Sequence, residues 1–173
     1  MSAASSASVR LRAMEPEDLD FLYNMENNPE LWGVGNTNVP YSRYVLHDYI
    51  ARASNDIYAD GQVRLIVENG AHEAVGIVDV VNFDPRHRRA EISIAVEAKH
   101  RRCGYAAAAV AEIKDYAHRV LHLHQLYAVV SEANDASIGL FLGAGFTAVA
   151  KFPEWLLCGS GYCDAVMLQC VLP

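Results

Sequence analysis

The sequence lacks long apolar runs and has no segment that resembles an export signal. The apolar stretch at residues 105–111 is far shorter than the roughly 20 residues that a membrane-spanning helix needs. No apolar secretory segment follows Met1, and residues 1–8, rich in serine and alanine, predict a disordered lead-in. We therefore expect a cytoplasmic protein without a membrane partner, in which residues 9–173 form one domain.

Cysteine is also scarce, and its spacing does not indicate a metal site. None of the four cysteines forms a C-x-x-C pair, and no carboxylate or thiol completes a site with the histidines at 118, 122 and 124. The sequence therefore predicts no bound metal. Without an export signal, we expect reduced thiols. The cysteines are Cys103, Cys158, Cys163 and Cys170.

The chain also has fewer positively than negatively charged residues. The chain has 14 Lys and Arg against 21 Asp and Glu, a net charge of −7. An acidic protein is poorly suited to hold a phosphate backbone, so we expect no nucleic-acid partner. The same charge suits a cationic substrate.

Apolar periodicity predicts the element order β-α-α-β-β-β-α-β-α-β-β in one α/β domain. Pro16 marks the start of the first helix, Ser42 caps the second, and residues 31–41 between them read as a loop. The two later helices are predicted at 104–120 and 135–144. A buried stripe is expected on the first of these, formed by Tyr105, Ala109, Ile113, Tyr116 and Val120. The strands are predicted at 9–13, 62–68, 74–83, 89–96, 125–130, 146–151 and 164–171.

One strand runs through a short turn into a helix at residues 90–106. Free backbone N–H groups at a helix start favour an anion, and Gly104 and Ala106 allow it to approach closely. Arg101 and Arg102 add positive charge. The segment has neither a Walker loop nor a G-x-G-x-x-G fingerprint. It predicts a diphosphate site, and the alternative is an ordinary helix start with two solvated arginines.

Two motifs in this context resemble the signatures of the GNAT acetyltransferase superfamily. Arg101-x-x-Gly104-x-Ala106 is similar to the acetyl-CoA signature, and residues 134–146 are similar to a second one, N-x-x-(A/S)-x-x-(L/F)-Y-x-x-x-G-F. The opening at 11–19 resembles spermidine and ribosomal-protein acetyltransferases of that superfamily. The resemblance implies a mixed central sheet, splayed at an acetyl-CoA cleft and flanked by helices.

The resemblance also implies how the co-substrate acetyl-CoA is bound. The backbone of Ile94, Ala95 and Val96 would pair with its pantetheine arm, and Asn134 would bind the coenzyme or orient the acceptor. Phe141 stands where the family has a tyrosine beside the coenzyme. The diphosphate would be held by Arg101, Arg102, Cys103, Gly104, Tyr105 and Ala106.

Glu91 is the candidate general base, because several family members place one on this strand. A carboxylate that removes the proton of an ammonium group is typically worth ~10²–10⁴ in rate. The alternative is a strand-end acid paired with Arg88 or Arg89. Spacing does not choose among the other acids that would attract a cationic substrate, which are Glu26, Glu30, Asp79 and Glu132.

Phe141 is a departure from the family, whose tyrosine at this position protonates the leaving thiolate. Tyr127, Tyr162 or water are candidates for that proton. The departure leaves open a regulatory module that binds acetyl-CoA without catalysis.

The acceptor that the resemblance favours is a polyamine such as spermidine, which the acidic charge would attract. The N-terminal amine of a protein is the nearest alternative, and antibiotic or amino-acid amines also stay open. The loop 31–41 and the second helix are expected to wall the acceptor site. We also expect a homo-oligomer.

Overall fold

The computed structural model describes residues 7–32 and 38–173. Its strands are β1 (Val9–Arg12), β2 (Val63–Asn69), β3 (Ala74–Asp84), β4 (Arg89–Val96), β5 (Gln125–Ser131), β6 (Thr147–Cys158) and β7 (Gly161–Val171). Its helices are α1 (Leu19–Glu26), α2 (Pro29–Trp32), α3 (Arg43–Arg52), α4 (Ile57–Asp60), α5 (Tyr105–Arg119) and α6 (Asp135–Gly143). No helix within these two ranges is long and apolar enough to cross a bilayer.

The strands form one mixed sheet in the order β1-β2-β3-β4-β5-β7-β6. Every neighbouring pair is antiparallel except β4 and β5, which run parallel. These two strands pair only from Arg89↔Gln125 to Glu91↔Tyr127 and then diverge. The predicted splay between these strands is therefore confirmed.

The core lies on both faces of the sheet. Helix α5 buries Ala109, Val110, Ile113 and Ala117 in the larger cluster, and α1 covers the opposite face. The predicted stripe is correct at Ala109 and Ile113 but wrong at Val120, which is 56% exposed. The helix ends at residue 119, so Val120 lies beyond the face that packs on the sheet.

The N-terminal helices begin at the predicted caps. Pro16 opens a short 3₁₀ turn that leads into α1, and the Ser42 hydroxyl accepts the Val45 N–H at 3.1 Å. The predicted loop is wrong at its start, where α2 continues through residue 32 and the Trp32 indole donates to the Glu26 carbonyl at 2.8 Å. The rest of that loop at 33–37, and residues 1–6 of the expected lead-in, lie outside the described residues.

The β6–β7 hairpin is longer than the sequence predicts and corrects the expectation of reduced thiols. The two strands extend to a tight turn in which Cys158 pairs with Gly161. This register brings the Cα atoms of Cys158 and Cys163 to 5.8 Å, and a disulfide of 2.03 Å joins them. Local hairpin geometry explains the error, because spacing alone does not show which residues face each other. Cys103 and Cys170 are free thiols.

Candidate active site

Beyond Glu91, the β4 edge that faces β5 has no strand partner among residues 7–32 and 38–173. On its other side β4 stays paired with β3, through Val78↔Ile94, Ile77↔Ala95 and Gly76↔Val96. The residues predicted to bind the pantetheine arm therefore lie on a fixed strand that borders the cleft. Their contact with the coenzyme stays a prediction.

The N-terminus of α5 has the features of an anion site. Gly104 caps the 15-residue helix with φ of 83°, a left-handed conformation that favours glycine. Within the described part of the chain no side chain caps this end, and its first turn carries no acid. The free N–H groups and the helix dipole therefore favour a phosphate group. The residues present fit the coenzyme diphosphate.

The side chains around this helix start are accessible from solvent. The Arg101 guanidinium donates to the Val96 carbonyl at 3.2 Å and lies 3.7 Å from the Glu30 carboxylate. Cys103 is exposed, and its Sγ lies 3.5 Å from the Arg101 carbonyl. Tyr105 is half-buried against His100, with ring centroids 6.1 Å apart. Arg102 and Ala106 complete the predicted set, exposed and half-buried respectively.

A cavity of about 360 Å³ lies between the sheet and the N-terminal helices. Four carboxylates line it, and they come from α1, α4, β3 and β4: Glu26, Asp60, Asp79 and Glu91. The structure thus brings together three of the acids that the sequence singled out. Glu30 and Glu132 lie elsewhere, since Glu30 is exposed near Arg101 and Glu132 binds Lys151 at 2.9 Å.

Glu91 faces this cavity and belongs to the last β4–β5 residue pair before the two strands diverge. Its Oε2 accepts a hydrogen bond of 2.8 Å from the Asn82 amide. The alternative pairing with the neighbouring arginines is wrong, because Arg88 donates to the His122 carbonyl and Arg89 pairs with Asp84. Glu91 is therefore free of a cationic partner within residues 7–32 and 38–173. Its role as the base stays a prediction.

Tyr127 lies directly across from Glu91 in the parallel register. Burial raises the pKa of Tyr127, and the charge of Glu91 raises it further. The phenol is therefore protonated at neutral pH. Tyr162, the other candidate acid, is 68% exposed close to the β6–β7 turn.

The second signature forms the start and the buried face of α6. The Asn134 side chain accepts the Ser137 N–H at 3.1 Å and so caps this helix. Phe141 is 3% exposed and packs on Phe146 with ring centroids 5.1 Å apart. The structure thus assigns both residues a place in the fold, and their contacts with the coenzyme stay predictions.

Arg64 is a cavity residue that the sequence reasoning missed. It lies opposite Asp79 in the β2–β3 register and binds that carboxylate twice, at 2.6 and 2.9 Å. Its third nitrogen, Nη1, contacts Glu26. Burial lowers the pKa of Arg64, but the hydrogen bond and charge of Asp79 and the charge of Glu26 outweigh it and raise the pKa overall. The signal that was available was a charged residue within the otherwise apolar run at 63–67.

Comparison with known proteins agrees with this geometry. Residues 8–147 match the acetyltransferase (GNAT) domain family. The spermidine N(1)-acetyltransferase of Escherichia coli (strain K12) is 28% identical over 165 residues, which cover 95% of this chain and 86% of that protein.

Two solved structures from Vibrio cholerae share the fold. A spermidine N-acetyltransferase in complex with CoA and spermine aligns with a TM-score of 0.86 at 24% identity, covering 95% of this chain and 96% of the other. A dodecameric structure of spermidine N-acetyltransferase aligns with a TM-score of 0.79 at 24% identity, covering 95% and 94%. As the two sequence signatures predict, the chain belongs to the GNAT family of acetyltransferases, which use acetyl-CoA as co-substrate.

Proposed function

We propose that this protein transfers the acetyl group of acetyl-CoA to a primary amine of a polyamine such as spermidine. The observation that carries the proposal is the cavity at the splay, whose described lining has four carboxylates and one guanidinium. A polycation gains charge-assisted hydrogen bonds in such a cavity. The similarity to spermidine acetyltransferases over 95% of the chain supports the same acceptor class.

In this proposal Glu91 acts on the acceptor. Its carboxylate takes a proton from the ammonium group, and the freed nitrogen attacks the thioester carbonyl. The new C–N bond forms, the C–S bond breaks, and its electron pair leaves with the sulfur. A thiol pKa of about 8.5 makes thiolate a workable leaving group, so Phe141 does not preclude turnover. The attacking nitrogen gives its second proton to water, which leaves the neutral amide, and the thiolate takes a proton from water or from Tyr127.

The remaining chain residues hold the two substrates in place. The N–H groups at the start of α5, with Arg101 and Arg102, bind the diphosphate, and the free edge of β4 aligns the pantetheine arm. The direct-transfer mechanism needs no acyl-enzyme, so the exposed Cys103 has no chemical role.

We also propose that the protein self-associates, as the dodecameric relative does. Light scattering on the eluting protein measures its mass against the 19.0 kDa of one chain. A mass of one chain at micromolar concentration would overturn this proposal. The cytoplasmic location expected from the sequence stays a prediction.

Thiol release, measured side by side with spermidine, spermine and a short N-terminal peptide, tests the acceptor. We expect turnover of the polyamines and a KM that rises with salt, because charge attraction is screened beyond ~8–10 Å at ordinary ionic strength. Faster turnover of the peptide would replace the polyamine with a protein acceptor. Coenzyme binding without thiol release from any amine would favour the non-catalytic module.

A further inference from the structure

The acceptor cavity contains a cation of its own. The Arg64 guanidinium lies between Glu26 and Asp79, and its side chain is only 21% exposed. The carboxylates are similarly enclosed, with 15% of the Glu26 side chain and 24% of the Asp79 side chain exposed. Two of the four cavity acids are thus already paired with a positive charge.

The other two cavity acids are not paired with a cation. Asp60 accepts a hydrogen bond from the Ser54 hydroxyl at 2.6 Å, and Glu91 accepts one from Asn82. Neither forms an ion pair with any described residue, and positions 33–37 add no charged side chain. The cavity therefore offers two open carboxylates to an incoming amine, and it carries a formal charge of −3.

An acceptor ammonium placed near Glu26 and Asp79 has to compete with Arg64. The guanidinium binds Asp79 through two parallel hydrogen bonds, a fork that an ammonium group does not reproduce. An ammonium group also meets repulsion from the guanidinium. A longer polyamine, with one more positive centre to place, is affected more than a shorter one.

We propose that Arg64 is a specificity-determining residue of the acceptor site, because its guanidinium takes the position between Glu26 and Asp79 that a further acceptor ammonium would occupy. Arg64 thus limits the number of cationic centres that the cavity binds. This inference rests on the proposed polyamine acceptor and goes beyond it by naming the residue that sets the acceptor's length and charge.

Calorimetric binding of spermine, spermidine and a monoamine to the full protein tests the inference without any turnover. Arg64→Met removes the guanidinium and frees both carboxylates. We expect spermine to bind roughly tenfold more tightly, which is the effect of one additional charge-assisted hydrogen bond in a partly buried site. Spermidine should show a smaller increase in affinity, and the monoamine should change little. In turnover, the KM for spermine should fall more than the KM for the monoamine.

Two further variants keep the inference falsifiable. Arg64→Gln, which can still donate to both acids, should shift binding in the same direction if the Met variant fails to fold. Arg12→Met is the matched control, since Arg12 also joins two carboxylates but lies outside the cavity. Its ratio of spermine to monoamine affinity should equal that of the unmodified protein.

The results separate the inference from the proposed function. If neither Arg64 variant binds spermine more tightly, Arg64 does not set the specificity and the inference is wrong, whatever the turnover. If an Arg64 variant gains spermine affinity but no variant releases thiol with any amine, the inference stands and the proposed catalysis is wrong.

Discussion

Two arginines in this protein each bind two carboxylates but lie in different parts of the fold. Arg12 joins Asp18 and Glu68, and Arg64 joins Glu26 and Asp79. The two arginine side chains are 20% and 21% exposed, so burial does not distinguish them. The difference lies in what each cluster borders.

The Arg12 cluster is closed to the cavity, since none of its three residues lines it. Arg12 also donates to the Ala13 carbonyl, and the Asp18 carboxylate accepts the Glu15 N–H that begins the first helical turn. Every partner belongs to the fold, so the cluster connects β1, β2 and the start of α1. The Arg64 cluster instead borders the cavity beside the splay. An ion pair at a cavity wall is available to a ligand, and one inside a closed network contributes only to stability.

The largest effect is expected on catalysis, from a variant that leaves both arginine clusters intact. Replacing Glu91 with Gln should lower kcat by ~10²–10⁴, because the ammonium then lacks its base. Rates at saturating spermidine and acetyl-CoA measure this. The control is Glu132→Gln, an acid outside the cavity that binds Lys151. Equal rates for the two variants would show that Glu91 is not the base.

The next effect falls on stability, where the two clusters should differ most. Arg12→Met leaves the enclosed Asp18 without a cation and leaves Glu68 only its exposed partners Arg10 and His72. It should lower the free energy of unfolding by about 3 kcal/mol. Urea denaturation measures the loss, and the affinity for acetyl-CoA should stay unchanged. A change in acceptor preference in this variant would contradict the claim that only the Arg64 cluster acts on the acceptor.

A third change is expected to affect coenzyme binding. Gly104→Val forces a β-branched residue into a left-handed backbone, at a cost of roughly 1–2 kcal/mol. The added side chain would stand at the start of α5, where the diphosphate is proposed to bind. We expect the calorimetric Kd for acetyl-CoA to rise about tenfold or more. Gly159→Val is the control, because Gly159 also has a positive φ of 61° but lies in the β6–β7 turn. Equal coenzyme affinity in the two variants would argue against the diphosphate site.

The smallest effect is a pH dependence that belongs to the Arg12 cluster. Hydrogen bonds from Arg12 and then His72 lower the pKa of Glu68 from 4.5 to about 2. The unfolded chain therefore binds more protons in this window, so the contribution of Glu68 is complete above pH 4.5 and is lost as the pH falls towards 2.

Acid denaturation of the unmodified protein and Glu68→Gln checks this prediction. The variant should be less stable at neutral pH and should show a flatter decline below pH 4.5. Parallel curves for the two proteins would contradict the assigned pKa of Glu68.

Sequence patterns predicted the large elements because these depend on local chemistry. Ser42 and Pro16 marked helix starts, and Gly104 marked the start of α5. Alternation marked the first strand, and runs of β-forming or apolar residues marked others. The same patterns did not show which side chains meet across the sheet. The Arg64–Asp79 pair and the Cys158–Cys163 disulfide both follow from strand register, which spacing along the chain does not give.

Prediction of the candidate site met the same limit as prediction of the fold. The signatures named the coenzyme segment and Glu91, but the cavity gathers acids from four separate elements. Asp60 and Arg64 were not predicted, because nothing near them in the sequence relates them to Glu91. Their meeting depends on the order of strands in the sheet.

The stoichiometry of the reaction tests the central claim most directly. The protein is incubated with acetyl-CoA and spermidine, and free coenzyme A and acetylated amine are both quantified as the reaction proceeds. The account predicts equal amounts of coenzyme A and monoacetylated spermidine, with the rates of both products reduced by the same factor in Glu91→Gln. Release of coenzyme A with free acetate and no acetylated amine would contradict it.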